Sequence, residues 1–260
     1  MNRTMILAIA LVVAAVGMPA RAADVAPGQL DNAFKTLVTF KIGDQTGDVD
    51  LIRSAVVQYA KNESRRADLE KRLIQVLKGQ ATWEAKDFAC RQLFIAGTEA
   101  GVPALSALLP DEKLSNMARA VLEKIPGETA TQAIRSALAE AKSDRLKIGF
   151  IHSLARRSDA KSIDVFVKYT KSDQPELASV AILALSKLDS DKAADAVAAA
   201  YGSASDKTRS AAADALLTVA ARHLAQGKAD KARAIYERLY GDKELIAVRV
   251  VWNPVRPRAR

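Results

Sequence analysis

Little in this chain can carry redox or metal chemistry. It has one cysteine, Cys90, among 260 residues, so no disulfide can close within it. Cys90 lies in an apolar helical stretch and reads as a small core residue rather than a nucleophile. Histidine occurs only at His152 and His223, 71 residues apart, and neither stands among cysteines or carboxylates at metal-ligand spacing. Aromatic residues are 5% of the chain, which suits close-packed alanine and leucine helices better than a sandwich or a deep aromatic pocket. No nucleophile elbow, phosphate-cradling glycine loop or paired-carboxylate motif is visible. A Ser–His–acid triad converges only in space and leaves no spacing to read. The sequence therefore assigns no catalytic residue, no cofactor and no metal ligand, and the expected protein is not an enzyme.

Long apolar runs are equally scarce. The longest uncharged one, residues 4–20, spans 17 residues and contains Gly17 and Pro19, which is short for a membrane span. Arg3 precedes it and Ala20-Arg21-Ala22 follows with small residues flanking a cut. Residues 1–22 read as a secretory signal peptide, cleaved ahead of Ala23. No cysteine stands at the cut, which excludes lipid attachment there. The expectation is an exported protein, periplasmic or secreted, with no membrane insertion after cleavage.

A surplus of one charge is missing from the body of the chain. Of the formal net charge of +9, Arg3 and Arg21 lie in the leader and Arg249, Arg256, Arg258 and Arg260 in the last twelve residues, leaving +3 between. A nucleic-acid binder carries a basic stripe on its folded part. Here both signs alternate along the helices, as on a solvated face. Nucleic acid is not an expected partner.

What the chain has in plenty is alanine and leucine at helical spacing, repeated. Segments opening on Asp111, Asp144, Asp173, Asp206 and Asp242 start 33, 29, 33 and 36 residues apart. Landmark leucines Leu93, Leu122, Leu154, Leu185 and Leu216 follow at intervals of 29, 32, 31 and 31. A period of this size marks a solenoid, in which each unit buries its apolar face only against its neighbours. The aspartates stand where helix N-caps are needed. First helices are expected near residues 83–96, 114–124, 146–156, 175–188 and 208–225. Second helices are expected near 102–109, 130–141, 160–170, 192–201 and 228–240.

The pattern Ala89-x-x-x-Leu93-x-x-x-Gly97-x-x-x-Gly101-Val-Pro103-Ala-Leu105-x-x-Leu108-Leu109, with its degenerate copies, resembles the HEAT-repeat family. It is most similar to the short bacterial HEAT-like repeats related to those of phycobilin lyases. The stretch from Leu224 to Leu239, with Gly227, Ala232 and Tyr236, resembles a tetratricopeptide half-repeat. The resemblance implies an all-α, HEAT/armadillo-like solenoid: antiparallel helix pairs stacked into a curved rod, second helices lining its concave side.

The organisation expected is a signal peptide (1–22), a flexible leader (23–33), capping helices (34–81), the repeat solenoid (82–246) and an irregular basic tail (247–260). In the cap, Asp48 is positioned to cap a helix carrying Leu51, Ile52, Ala55, Val56 and Tyr59. A following helix presents Leu69, Leu73, Ile74 and Leu77 on one face, and Trp83 is expected to pack where cap meets repeat. In the tail Pro254 and Pro257 forbid a continued helix. It reads as a truncated repeat or frameshifted end, with a functional basic tail as the alternative. Tyr169, Tyr201 and Tyr240 recur near the ends of second helices, as a layer plugging gaps between repeats or an aromatic ladder on a binding surface.

The function expected is an exported, non-catalytic scaffold that binds another protein through its concave helical face by shape and charge complementarity. The candidate surface comprises the polar residues of the second helices: Arg135, Lys161, Asp164, Lys168, Lys171, Lys192, Asp195, Lys231 and Arg238. Fold analogy alone raises a lyase or chaperone-like enzyme of the bilin-attachment type as the alternative. A structural component of an envelope assembly is the other.

Overall fold

The computed structural model describes residues 25–242, which fold into thirteen α-helices with no strand among the described residues. The expected signal peptide and the basic tail lie outside the described residues, as do residues 243–246 of the expected solenoid.

The cap begins earlier than the sequence reading placed it. Helix α1 (Pro27–Leu37) takes in most of the stretch expected to be a flexible leader. Proline fits the first turn of a helix, where its missing N–H costs nothing. Leu30, Ala33, Phe34 and Leu37 then fall on one buried stripe. Val25 is held as well: its N–H donates to Gln58 Oε1 at 2.9 Å, and the Tyr59 hydroxyl donates to its carbonyl at 2.6 Å. Helix α2 (Gly47–Tyr59) buries Val49, Ile52, Ala55, Val56 and Tyr59, and Asp48 sits in its first turn instead of at the cap. In α3 (Glu63–Lys78) Asn62 caps the amide of Arg65, and Leu69, Leu73, Ile74 and Leu77 are buried as the spacing requires.

Five helix pairs follow. The first helices are α4 (Trp83–Ala96), α6 (Ser115–Lys124), α8 (Asp144–Arg156), α10 (Pro175–Lys187) and α12 (Asp206–Ala225). The second helices are α5 (Val102–Ser106), α7 (Glu128–Glu140), α9 (Ile163–Tyr169), α11 (Asp191–Gly202) and α13 (Ala229–Tyr240). The first helices pack on one another in order, forming the denser row, and the second helices pack chiefly on first helices. All five landmark leucines are buried in this row. Alanines such as Ala181 on α10 and Ala212 on α12, both buried, let the backbones approach closely.

The aspartates cap less often than expected. Asp111 does accept the amides of Lys113 and Leu114, at 2.7 and 3.1 Å. At α8 the capping oxygen belongs to Ser143, which accepts from Leu146, and Asp144 stands one residue inside the helix. Asp206 likewise occupies the first helical position of α12, and Asp173 precedes the N-cap of α10. These carboxylates act through the helix dipole, a weaker role than a direct cap.

Two arginines tie successive first helices together. Arg157, just past α8, donates to the carbonyls of Leu122, Ile125 and Gly127 at 2.6–2.7 Å and to Thr131 Oγ1 at 2.7 Å. It thereby closes the C-terminal end of α6, where the last carbonyls have no intrahelical donor. Arg222 on α12 donates to the Ser186 carbonyl near the end of α10 at 2.7 Å.

Candidate functional site

The second helices present their polar residues side by side, and most of the nine candidates are spent within the array. Lys161 pairs with Glu128 at 2.7 Å, Lys192 with Asp164 at 2.6 Å and Lys231 with Asp191 at 3.4 Å. Each pair joins one second helix, or the turn leading into it, to the next. Arg135 is ion-paired with Asp159 at 3.1 Å and also with Glu128, and Arg238 lies over the Tyr201 ring at 5.0 Å. Hydrogen bonding from Lys161 holds the Glu128 carboxyl below its usual range; desolvation opposes it, and the Arg135 and Lys161 charges reinforce it. Exposed pairs of this kind add little to stability, so the row chiefly fixes relative position. Lys168, Lys171 and Asp195 remain exposed and make no ion pair among the described residues.

The recurring tyrosines do not form one layer. Tyr201 is buried, with its hydroxyl bonded to Asp242 and its ionisation pushed up to about 12 by burial and that carboxylate. Tyr169 is half-buried, and Tyr240 is 45% exposed. Trp83 is not buried where cap meets repeats: it is 39% exposed at the first position of α4. The junction is apolar, α3 packing on α4 within one continuous hydrophobic core, and neighbouring polar groups add to it. Thr82 donates to the Phe40 carbonyl, and buried Glu70 accepts from the amide and hydroxyl of Thr98.

Groups with chemical potential are dispersed. Cys90 is buried, and desolvation pushes its thiol up to about 12. His152 is exposed on α8, His223 is buried on α12, and burial lowers both. The described residues contain no group of three side chains able to hold a metal ion.

A concavity lies where none of the nine candidates stands. It is a cleft of about 600 Å³ between α5, α7 and the start of α8. Its origin is the shortness of α5, which has five residues where α7 has thirteen. At 1.5 Å per residue, α5 covers only the first part of its neighbour. The chain tightens after Ser106, Leu108 N bonding Leu105 O at 3.0 Å and Leu109 N bonding Ser106 O at 3.1 Å. Pro110 has no N–H with which to continue the helix. The uncovered part of α7 carries Ala133 and Ala137, with Ala141 just past its end, and these small side chains face Leu109, Leu146 and Phe150 across the gap. Glu140 and Lys142 also line it. In the sequence, the alanines spaced by four and the early proline were the available signal.

Residues 131–217, from α7 into α12, match the family model for HEAT repeats. These are HEAT repeats. No curated protein matches the chain. The matched span of the HEAT array includes the row of inter-helix ion pairs from Asp159 to Lys192, but only part of the α5–α7 cleft.

Proposed function

We propose that this chain is an exported, non-catalytic HEAT scaffold that holds another protein along its second-helix face, the side the family resemblance makes concave. HEAT repeats supply the coarse reading, a helical scaffold for protein interaction. The supporting observation is the stitched row Glu128–Lys161, Asp164–Lys192 and Asp191–Lys231. A surface whose side chains are already mutually ordered loses less entropy when a partner docks. The unpaired charges beside that row, Lys168, Lys171 and Asp195, are then the groups left to select the partner, with an acidic patch opposite the two lysines. Export rests on the signal peptide read in residues 1–22.

The test is affinity capture from the envelope fraction with the tagged mature chain, run beside a Lys168→Glu/Lys171→Glu form. One protein recovered at stoichiometric yield, and lost on charge reversal, is expected. A bound pigment or other small molecule in place of a protein would overturn the scaffold reading in favour of the lyase type. Amino-terminal sequencing of the exported protein should begin at Ala23, and an intact Met1 would refute export by cleavage.

A further inference from the structure

The cleft under α5 has a polar neighbour. A second hollow, of about 140 Å³, lies between the start of α6 and the start of α8, and Leu146 lines both. The chain also connects them on the other side, since Pro110 lines the cleft and Glu112 the hollow. The two differ sharply in chemistry. The cleft is walled mainly by alanine, leucine, proline and phenylalanine; the hollow is lined by Ser115, Asn116, Arg119, Arg145 and Glu112 besides Leu146.

Three features of the hollow point to an anion. Ser115 is only 3% exposed, yet its buried hydroxyl has no hydrogen-bond partner among the described residues. A buried hydroxyl without a partner costs free energy that a bound acceptor would recover. Ser115 also begins α6, a ten-residue helix whose N-cap, Leu114, offers no side-chain acceptor; Asp111 takes up the amides of Lys113 and Leu114 in the preceding turn, and the positive end of the dipole beyond them faces this hollow. Arg145 is exposed on the rim with no hydrogen bond or ion pair among the described residues. Arg119 is partly engaged, through Asn116 Oδ1 at 3.0 Å and the Gly149 carbonyl at 2.9 Å. Glu112 opposes an anion, but it is exposed and solvent screens it.

We propose that cleft and hollow form one bipartite site for an anionic amphiphile, of the long-chain carboxylate class. The apolar chain occupies the space left by the truncated α5, within the size range of small-molecule sites. The head group crosses Leu146 to reach Arg145, the Ser115 hydroxyl and the start of α6. The site is independent of the protein-binding face, since Lys168 and Lys171 take no part in it.

Decanoate and decanol, titrated calorimetrically into the full chain, test this directly. Decanoate should bind at one site about tenfold more tightly than decanol, the gain expected of a charge-assisted contact. Arg145→Gln should bring decanoate down to the level of decanol and leave decanol unchanged. Ala137→Phe, which fills the cleft, should abolish both. Because that variant can disturb packing, a photoreactive decanoate analogue should also label the unaltered chain within residues 106–150. Equal affinity for acid and alcohol would remove the anion half of the proposal. Labelling elsewhere, or no saturable binding, would overturn it entirely, as would displacement of decanoate by the captured protein partner alone with no effect of Arg145→Gln.

Discussion

Arg119 on α6 lies across Gly149 on α8, donating to the Gly149 carbonyl at 2.9 Å and to Ser153 Oγ at 3.0 Å. Ser153 in turn donates to Glu123 Oε1 at 2.6 Å, so a polar seam crosses the otherwise apolar row of first helices. A Cβ at position 149 would stand 2.8 Å from the guanidinium carbon of Arg119. Gly149→Ala therefore sets two effects against each other. The helix interior gains about 1 kcal/mol from alanine. Displacing the guanidinium forfeits charged hydrogen bonds worth roughly 1.5–3 kcal/mol each. The loss is the larger, and urea unfolding should show Gly149→Ala destabilised by about 1–2 kcal/mol. In an Arg119→Met background the same change should turn neutral or stabilising.

The Arg157 side chain carries a heavier share of the repeat junction. Its guanidinium meets acceptors on both sides of the α6–α7 turn, among them carbonyls of the buried Leu122 and Ile125. Arg157→Met leaves those carbonyls without a donor and should cost about 2 kcal/mol. Arg157→Lys should recover less than half, because one ammonium cannot span acceptors that a planar fork reaches together. Urea midpoints, with amide exchange in the last turn of α6, check both.

How much of this was legible depends on sequence separation. The landmark leucines were readable because a 3.6-residue period and a thirty-residue repeat both mark them, and Leu93, Leu122, Leu154, Leu185 and Leu216 are all buried. Capping was readable in place but not in detail: Ser143 beside Asp144 offered a competing oxygen one residue earlier. Residues 23–33 are short of apolar side chains and contain Pro27-Gly28, which reads as a leader, yet Pro27 fits a first turn and α1 starts there. Arg157, Arg119 and the ion-pair row act across about thirty residues, a distance at which periodicity says nothing of side-chain partners. The α5–α7 cleft was least legible, because it is made by helix that is missing.

Cys90 should behave as a core residue. It is 1% exposed, and burial, then the nearby Asp87 charge, pushes its thiol up to about 12. The thiolate needed for attack is therefore scarce as well as shielded. A disulfide reagent at neutral pH should leave the native chain unmodified and label one thiol promptly in urea. Prompt labelling without denaturant would place Cys90 at the surface and put the register of α4 in error.

The histidine on α12 makes stability depend on pH in a defined direction. His223 is 5% exposed, and its Nδ1 is buried with no hydrogen-bond partner among the described residues. Burial lowers its proton affinity first, and Lys228, Lys231 and Arg222 lower it further, against Asp191. The unfolded chain thus takes up this proton near 6.5, and the folded chain only at lower pH. Between those two values the unfolded state binds more protons, so stability rises with pH. The contribution is complete above about 6.5, declines as the pH falls toward the folded value, and is lost below it. His152 is lowered in the same direction but is exposed on α8. Urea midpoints should therefore fall on mild acidification, and His223→Gln should flatten most of that slope where His152→Gln flattens little. A midpoint that climbs on acidification, and still climbs in His223→Gln, would contradict the burial of this imidazole.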